Sequence, residues 1–378
     1  MPYLELKDIF VQRKGEIHLD HVNLSIKKGE YIALLGPTNS GKTSLLNVIA
    51  GLKKVDSGEI FFENKNITFM PPEDRMVGYV FEDYNLFPHL TVLENLLFGV
   101  KVRAGNIEQA TKEALELLRM MHLEGREDAY PNELSGGMQQ RVSIARAAVA
   151  QAKILLLDEP YRALDAKIRE QMRREMRQIV KALGLTCIHA THELEEAMIV
   201  ADKIVVMNEG RIEQVATPEE LFNNPKNYYV ATSIAENNEI YIGSNKNKEF
   251  LPGLTLENLL EKTNQKISVK EELVALIRYS DIDIMEIVEQ SMLYTQKPDM
   301  FQKIEQQKNK ESIILKGKVV NTRLLGEYVR FGVKLTSEPS TTLYSKHLLN
   351  LAMQNYKEYE GKEVQIRIPY SSIKIFKK

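Results

Sequence analysis

The sequence predicts an α/β protein, a parallel sheet covered on both faces, with a smaller β-rich domain behind it. Three observations carry this. Two continuous apolar runs, 31–35 and 154–157, read as strands buried on both sides, the pattern of a parallel sheet. Each runs into polar groups suited to phosphate chemistry: the first into the loop GPTNSGKT, the second into the adjacent carboxylates Asp158 and Glu159. After about residue 235 the texture changes to short strand-like pieces punctuated by Gly326 and Gly361, which suggests a small barrel.

Composition bounds the possibilities. A chain of 378 residues has room for two or three domains, and 43% hydrophobic with 27% charged residues is ordinary globular protein. A formal charge of −2 gives no global field toward nucleic acid or an anionic membrane. The one cysteine, Cys187, sits in an apolar run and cannot close an intrachain disulfide, so a buried thiol in a reducing compartment is expected. The first ten residues, MPYLELKDIF, contain no long apolar stretch and do not read as a signal peptide. No run approaches the roughly 18 apolar residues of a membrane span, so membrane association is expected to go through a partner.

Taken in order, Leu4, Leu6 and Ile9 alternate in part, and Val22, Leu24 and Ile26 alternate cleanly, as strands with one buried face do. Lys28, Gly29 and Glu30 form a turn into the strand 31–35. Gly36, Pro37, Thr38, Asn39, Ser40, Gly41, Lys42 and Thr43 then complete a G-x-x-x-x-G-K-[ST] phosphate loop, and a helix opens at Ser44. The two glycines permit the tight backbone path. Loop amides and the helix start receive anionic oxygens, Lys42 neutralises the β/γ oxygens, and the Thr43 hydroxyl suits Mg²⁺. A turn at 56–59 leads to a strand over 60–62, Pro71-Pro72 marks a loop, and a strand over 77–81 ends at Glu82. Thr91 and Glu94 form a capping pair before a helix. Ile107, Ala110, Ala114, Leu117, Leu118 and Met121 make a helical stripe. His89 and His122 read as ordinary surface or packing residues.

Ser135 before the glycine pair Gly136-Gly137 opens the next helix, a second place where backbone amides can meet an anion. The strand 154–157 presents Asp158 and Glu159 at its carboxyl end, where ligands of parallel sheets bind: one carboxylate to hold a metal, one to orient and deprotonate water. The following helix carries Lys167, Arg169, Arg173, Arg174, Glu175, Arg177 and Lys181, a mixed-sign run expected to be a solvated face. His189 lies within the strand 186–189 and is expected to be a core histidine. A hairpin turns about 208–210, and Thr217-Pro218 opens another helix with Pro at N1.

The segment LSGGMQQR, 134–141, resembles in full the signature of the ABC ATPase family. The phosphate loop, that signature, the Walker B-like Asp158-Glu159, the D-loop-like Ala163-Leu164-Asp165 and His192, which looks like the switch histidine, follow in family order. The resemblance implies a P-loop NTPase, ABC ATPase domain over 1–235, with a RecA-like core, an antiparallel β subdomain and a helical subdomain over about 88–150. It also implies ATP and Mg²⁺. Lys42, Glu159 and His192 would be catalytic, the loop residues 36–44 would hold the nucleotide, and Thr43 and Asp158 would hold the metal. Ser135, Gly136, Gly137 and Asp165 would complete the ATP site of a second copy, so a homodimer, or a heterodimer with a relative, is implied.

Two positions depart from the family pattern. Glu82 stands where the Q-loop carries glutamine; a carboxylate can still ligate Mg²⁺ but adds negative charge beside the triphosphate. Arg13 stands where an aromatic residue stacks on adenine; a guanidinium can stack by cation–π contact, and Phe10 is a possible substitute.

The segments ALIRYSDI and GKVVNTRLLGEYVRFGVKL resemble an OB-like (TOBE-type) regulatory domain, expected over 236–378. Together these imply the energy-coupling ATPase of an importer, peripheral on the cytoplasmic side of the plasma membrane. Its partners would be integral membrane permease subunits, docked in a groove of the helical subdomain, and indirectly a solute-binding protein, with no nucleic acid. The layout, and 225–239 in particular, looks most like importers of oxyanions such as molybdate, tungstate or sulfate, with polyamine or ferric-iron importers as the alternative. A soluble non-transport ABC ATPase or a nucleotide-binding regulator is the alternative of another class.

Overall fold

The computed structural model describes residues 2–161, 166–242, 249–263, 272–285, 287, 311–348 and 356–377. The chain divides into two compact units, 1–226 and 227–378.

The first unit runs β1 (Leu4–Arg13), β2 (Glu16–Ile26), β3 (Tyr31–Leu35), α1 (Lys42–Ala50), β4 (Ser57–Phe62), β5 (Lys65–Asn66), β6 (Val77–Val80), α2 (Val92–Val102), α3 (Ile107–Met120), α4 (Gly136–Val149), β7 (Ile154–Asp158), α5 (Ala166–Ala182), β8 (Thr186–Thr191), α6 (Leu194–Val200), β9 (Lys203–Asn208), β10 (Arg211–Ala216) and α7 (Pro218–Asn223). Six strands form one sheet in the order β10-β9-β3-β8-β7-β6. Its five strands β9, β3, β8, β7 and β6 are parallel, with β10 antiparallel at the edge. The continuous apolar runs do become its interior: every residue of β3 and β8 is buried. Because the strands are parallel and in register, with Leu35 opposite Thr191 and Asp158 opposite Ala190, their carboxyl ends open on one edge. The phosphate loop leaves β3 there, Asp158 ends β7 there, and His192 follows β8 there.

A second sheet, β2-β1-β4-β5, is antiparallel. Its alternating Leu4, Leu6, Leu24 and Ile26 share a core with α1 and one face of the parallel sheet. The helices α2, α3 and α4 begin at side-chain caps: Thr91 with Glu94 in a capping box, Asn106, and Ser135. Ala110, Ala114 and Leu118 of α3 are buried in one cluster with Leu96 and Val142, as the stripe predicts, while Ile107 at the helix start is partly exposed. At Gly78 a Cβ would lie 2.4 Å from that of Ala147, so glycine lets α4 lie close on β6.

The expectation of a solvated charged face on α5 needs correction. Arg173 is buried, and Arg169 and Arg173 both clasp Glu193. Arg177 and Lys181 pair with Asp202, and Arg141 reaches Glu175 at 2.8 Å. These partners sit on other elements, which a reading of one helix cannot see.

The second unit runs α8 (Tyr228–Ile234), β11 (Asn237–Tyr241), β12 (Glu249–Leu251), β13 (Leu254–Thr255), α9 (Leu256–Thr263), β14 (Leu273–Arg278), β15 (Asp283–Ile284), β16 (Ser312–Leu325), β17 (Tyr328–Leu335), β18 (Thr342–Leu348), β19 (Glu363–Pro369) and β20 (Lys374–Lys377). It opens before the expected boundary at about 235, because Ala231 of α8 packs on Val274 and Leu276 of β14. Five strands in the order β15-β19-β16-β17-β18 form a curled antiparallel half-barrel, joined by the sheets β11-β14-β20 and β12-β13. Phe331, Ile366 and Ile277 lie in its core. No helix among the described residues is long and apolar enough to cross a membrane.

Candidate nucleotide site

The loop after β3 is shaped by two glycines. A Cβ on Gly36 would sit 2.4 Å from the Met207 carbonyl oxygen and 2.6 Å from Ser40 Oγ. Gly41 lies at φ 104°, with the His18 carbonyl 2.9 Å from where its Cβ would be. No other residue type fits either place without moving backbone. Gly41 caps α1 without a side-chain bond, and the first turn of α1 carries no acidic residue, so no capping side chain competes with an anion for its first amides.

Lys42 is 5% exposed, and its Nζ donates to the carbonyls of Gly36 and Pro37, each at 2.8 Å. Burial pushes its ammonium pKa down, with Glu159 and Asp158 opposing. Ser40 Oγ is buried with no hydrogen-bond partner among the described residues. Thr43 Oγ1 donates to Asp158 Oδ1 at 3.1 Å, and the Tyr79 hydroxyl donates to Asp158 Oδ2 at 3.2 Å. Burial pushes the Asp158 carboxyl up; the bonds from Thr43 and Tyr79 oppose it, Glu159 beside it adds to it, and the net direction is up.

Glu159 adopts the left-handed region at φ 45°, and its amide donates to the Ala190 carbonyl at 3.0 Å. That backbone conformation costs a non-glycine residue about 1–3 kcal/mol. Its carboxylate lies 3.3 Å from His192 Nδ1. The loop, both carboxylates and the histidine therefore meet at one edge of the sheet.

The cleft above them holds about 800 Å³. Thr38, Asn39, Gly41, Lys42, Thr43, Ser44 and Glu159 line it. So do Glu16, Ile17, His18, Asp20, Glu209 and Arg211, none of which sequence reasoning singled out as site residues. They arrive by tertiary contact. The Gly210 amide donates to the Ser40 carbonyl at 3.0 Å, and the Asp20 amide donates to the Gly210 carbonyl at 2.9 Å. No periodicity encodes such pairings. Tyr79 was missed for the same reason: only the alignment of β6 beside β7 brings it to Asp158.

Other expected site residues lie apart from this cleft lining. Arg13 is held elsewhere, with its guanidinium on Asp56 at 2.8 Å and on the Lys54 carbonyl at 2.8 Å, and Phe10 packs against His21 with ring centroids 5.4 Å apart. Ser135, Gly136 and Gly137 sit at the start of α4, where the Ser135 side chain accepts from the Met138 amide. Glu82 follows β6, whose Val80 lies opposite Leu157. Asp165, with Ala163 and Leu164, lies outside the described residues.

Among the described residues no three His, Cys, Asp or Glu side chains converge to hold a metal by themselves. The oxygens present, one hydroxyl and one carboxylate, suit a hard cation whose remaining ligands are water and phosphate. Amides at a helix start, a buried ammonium and an unpaired buried hydroxyl likewise suit the phosphates of a nucleotide.

Comparison with known proteins agrees with this chemistry. A family model described as ABC transporter matches residues 19–162. A spermidine/putrescine import ATP-binding protein of Mesoplasma florum is 41% identical over 283 residues, 74% of this chain and 80% of that protein. One of the same name from Clostridioides difficile is 46% identical, over 62% of this chain and 68% of its own length. A nucleotide-free ATP-binding cassette from an ABC transporter superposes with a TM-score of 0.56 at 28% identity, over 62% of this chain and 98% of that one. An ATP-binding cassette dimer bound to ADP and phosphate gives a TM-score of 0.50 at 33% identity, over 57% of this chain and 98% of that one.

The expectation of an oxyanion importer is corrected here, since the relatives carry a polyamine name. The segment 225–239 that suggested it contains α8, where Val230, Ala231 and Ile234 are buried, and the start of β11. With its phosphate loop, paired carboxylates and histidine at one edge of the sheet, the chain belongs to the ABC transporter family as an ATP-hydrolysing, importer-type ATP-binding chain.

Proposed function

We propose that this chain powers a polyamine importer, with spermidine or putrescine as the solute class. The names of the relatives support the solute, and the convergence of Lys42, Thr43, Asp158, Glu159 and His192 on one cleft supports the power stroke. The loop amides and Lys42 bind the β- and γ-phosphates, with the lysine moving from the Gly36 and Pro37 carbonyls to phosphate oxygens. Thr43 and Asp158 would hold Mg²⁺, which when bound supplies positive charge against the phosphate oxygens. Glu159 orients the attacking water and takes its proton, a role worth on the order of 10²–10⁴ in rate. His192, 3.3 Å from that carboxylate, steadies it and reaches toward the γ-phosphate. Glu82 adds a carboxylate on the metal side and slows the step by repulsion.

In this reading Ser135, Gly136 and Gly137 close over the ATP of a second copy, with Asp165 at that interface. ATP closes the dimer and hydrolysis reopens it. Permease subunits on the cytoplasmic side of the membrane receive the motion through the helical subdomain, and a solute-binding protein delivers the polyamine. The unit 227–378 serves as the regulatory domain. Arg13 pairs with Asp56, and in this reading Ile17 and His18, which line the cleft, are placed to meet the base.

Reconstitution with its permease tests the solute. Spermidine with its binding protein is expected to raise ATP turnover several-fold. Stimulation by molybdate or sulfate and none by spermidine or putrescine would overturn the polyamine assignment.

A further inference from the structure

Beneath the cleft lies a polar cluster that the hydrolysis scheme leaves unused. His189 on β8 and Tyr31 on β3 are both 0% exposed, Thr191 is 2% exposed, and Glu196 on α6 is 4% exposed. His189 Nε2 lies 2.6 Å from Glu196 Oε1, and its Nδ1 is hydrogen-bonded to the Tyr31 hydroxyl at 3.1 Å. The other carboxylate oxygen, Oε2, accepts from Thr191 Oγ1 at 2.8 Å. Thr191 Oγ1 in turn accepts from the Glu193 amide at 3.0 Å. Tyr161, two residues beyond Glu159, packs its ring edge-on against the His189 imidazole, with centroids 5.6 Å apart.

A buried pair of this kind is weak evidence of stabilisation, because taking ionisable groups out of water offsets what they gain from each other. His189 Nε2 and Glu196 Oε1 meet as a close ion-pair contact that is not aligned as a hydrogen bond, while the aligned bonds from Tyr31 to His189 and from Thr191 to Glu196 tie the cluster together and fix its geometry. The geometry fixed here is that of His192. Thr191 before it is tied to Glu196, and Glu193 after it is clasped by Arg169 and Arg173 of α5. Between those two anchors the imidazole of His192 points at Glu159.

We propose that His189 and Glu196 are positioning residues for hydrolysis: their buried pair holds the turn 191–193, and so the aim of His192 at Glu159. This rests on the hydrolysis scheme above. Neither member of the pair is among the residues that line the cleft, so its loss is expected to act on turnover and leave nucleotide affinity alone.

The test is a double-mutant cycle on ATP turnover, with nucleotide affinity and thermal midpoint read in parallel. Two variants disturb the pair: Glu196→Gln, and the joint apolar replacement of His189→Phe with Glu196→Leu. The joint replacement is expected to fold, because exchanging a whole buried pair for apolar side chains of similar size is often neutral. Both are expected to lower kcat about tenfold to a hundredfold, as a small misplacement of a catalytic group does, with KM for ATP within about twofold. In a His192→Ala background the same changes should alter kcat by less than about twofold, because no imidazole remains to be aimed. Equal fold-losses in both backgrounds, or unchanged kcat in the folded variants, would overturn the proposal. Glu159→Gln run alongside separates the two failures. If it abolishes turnover while the cycle is additive, only the positioning role fails. If it retains full turnover, the hydrolysis scheme fails and this proposal with it.

Discussion

Asp158 has its two carboxylate oxygens claimed by different elements, Oδ1 by Thr43 of α1 and Oδ2 by Tyr79 of β6. Tyr79 is itself held by stacking on Phe81, with centroids 4.1 Å apart. Tyr79→Phe keeps the stack and removes one hydrogen bond to the Asp158 carboxylate. The expected outcome is a half-saturating Mg²⁺ concentration for ATP turnover raised about tenfold, with the thermal midpoint nearly unchanged; a Mg²⁺ titration of both proteins checks it. Glu82→Gln bears on the same metal side. Removing that negative charge is expected to raise kcat severalfold, and a fall in kcat would show that the carboxylate serves the reaction. At this scale the sequence was most legible where chemistry is local: the loop 36–43 and the pair Asp158-Glu159 announce themselves. Tyr79 and Arg211 did not, because their roles exist only once β6 lies beside β7 and the β9–β10 hairpin lies over the loop.

Among elements, α6 and α5 are fastened to the sheet by buried or half-buried carboxylates. Burial pushes the Glu196 carboxyl up, but the charge and hydrogen bond of His189, the Thr191 hydroxyl and Arg173 outweigh it, and the net direction is down. Asp202 behaves alike: burial raises it, while Lys181, the Tyr31 amide and Arg177 together bring it below the usual carboxylate range. A carboxyl lowered in the folded state contributes stability that is complete above its unfolded pKa and is lost as pH falls through the folded value. The thermal midpoint is therefore expected to hold near neutral pH and to drop below about pH 4. Asp202→Asn should lower the neutral midpoint and flatten that acid limb; thermal melts across pH decide it. Strands and caps were legible here, since continuous apolar runs and Thr91 or Ser135 before a helix are local signals. The cations of α5 were misread as solvated because Glu193 and Asp202 are contributed by other elements.

For the whole molecule, the order of motifs made the first unit legible from sequence, and the second unit was legible only as a set of short strands. Its half-barrel has β15 and β18 as edges, which no strand pattern distinguishes from a closed barrel. The solute was legible only as competing alternatives, oxyanion first and polyamine second, because none of the residues that shape the nucleotide cleft needs to know what is carried. Dimer closure is a property of this scale. Glu159→Gln, expected to bind ATP without completing hydrolysis, should sediment as a dimer with ATP and Mg²⁺ and as a monomer with ADP. Equal sedimentation in both nucleotides would count against the closing of two copies over ATP.

The most direct measurement is steady-state ATP turnover with Mg²⁺ by the wild-type chain, Glu159→Gln and Lys42→Ala. The site described here predicts turnover in the wild type, a loss of about 10²–10⁴-fold in Glu159→Gln with ATP still bound, and loss of both binding and turnover in Lys42→Ala. Full turnover in Glu159→Gln would contradict the assignment of Glu159 as the base, and with it the central claim that this cleft hydrolyses ATP in the way its geometry indicates.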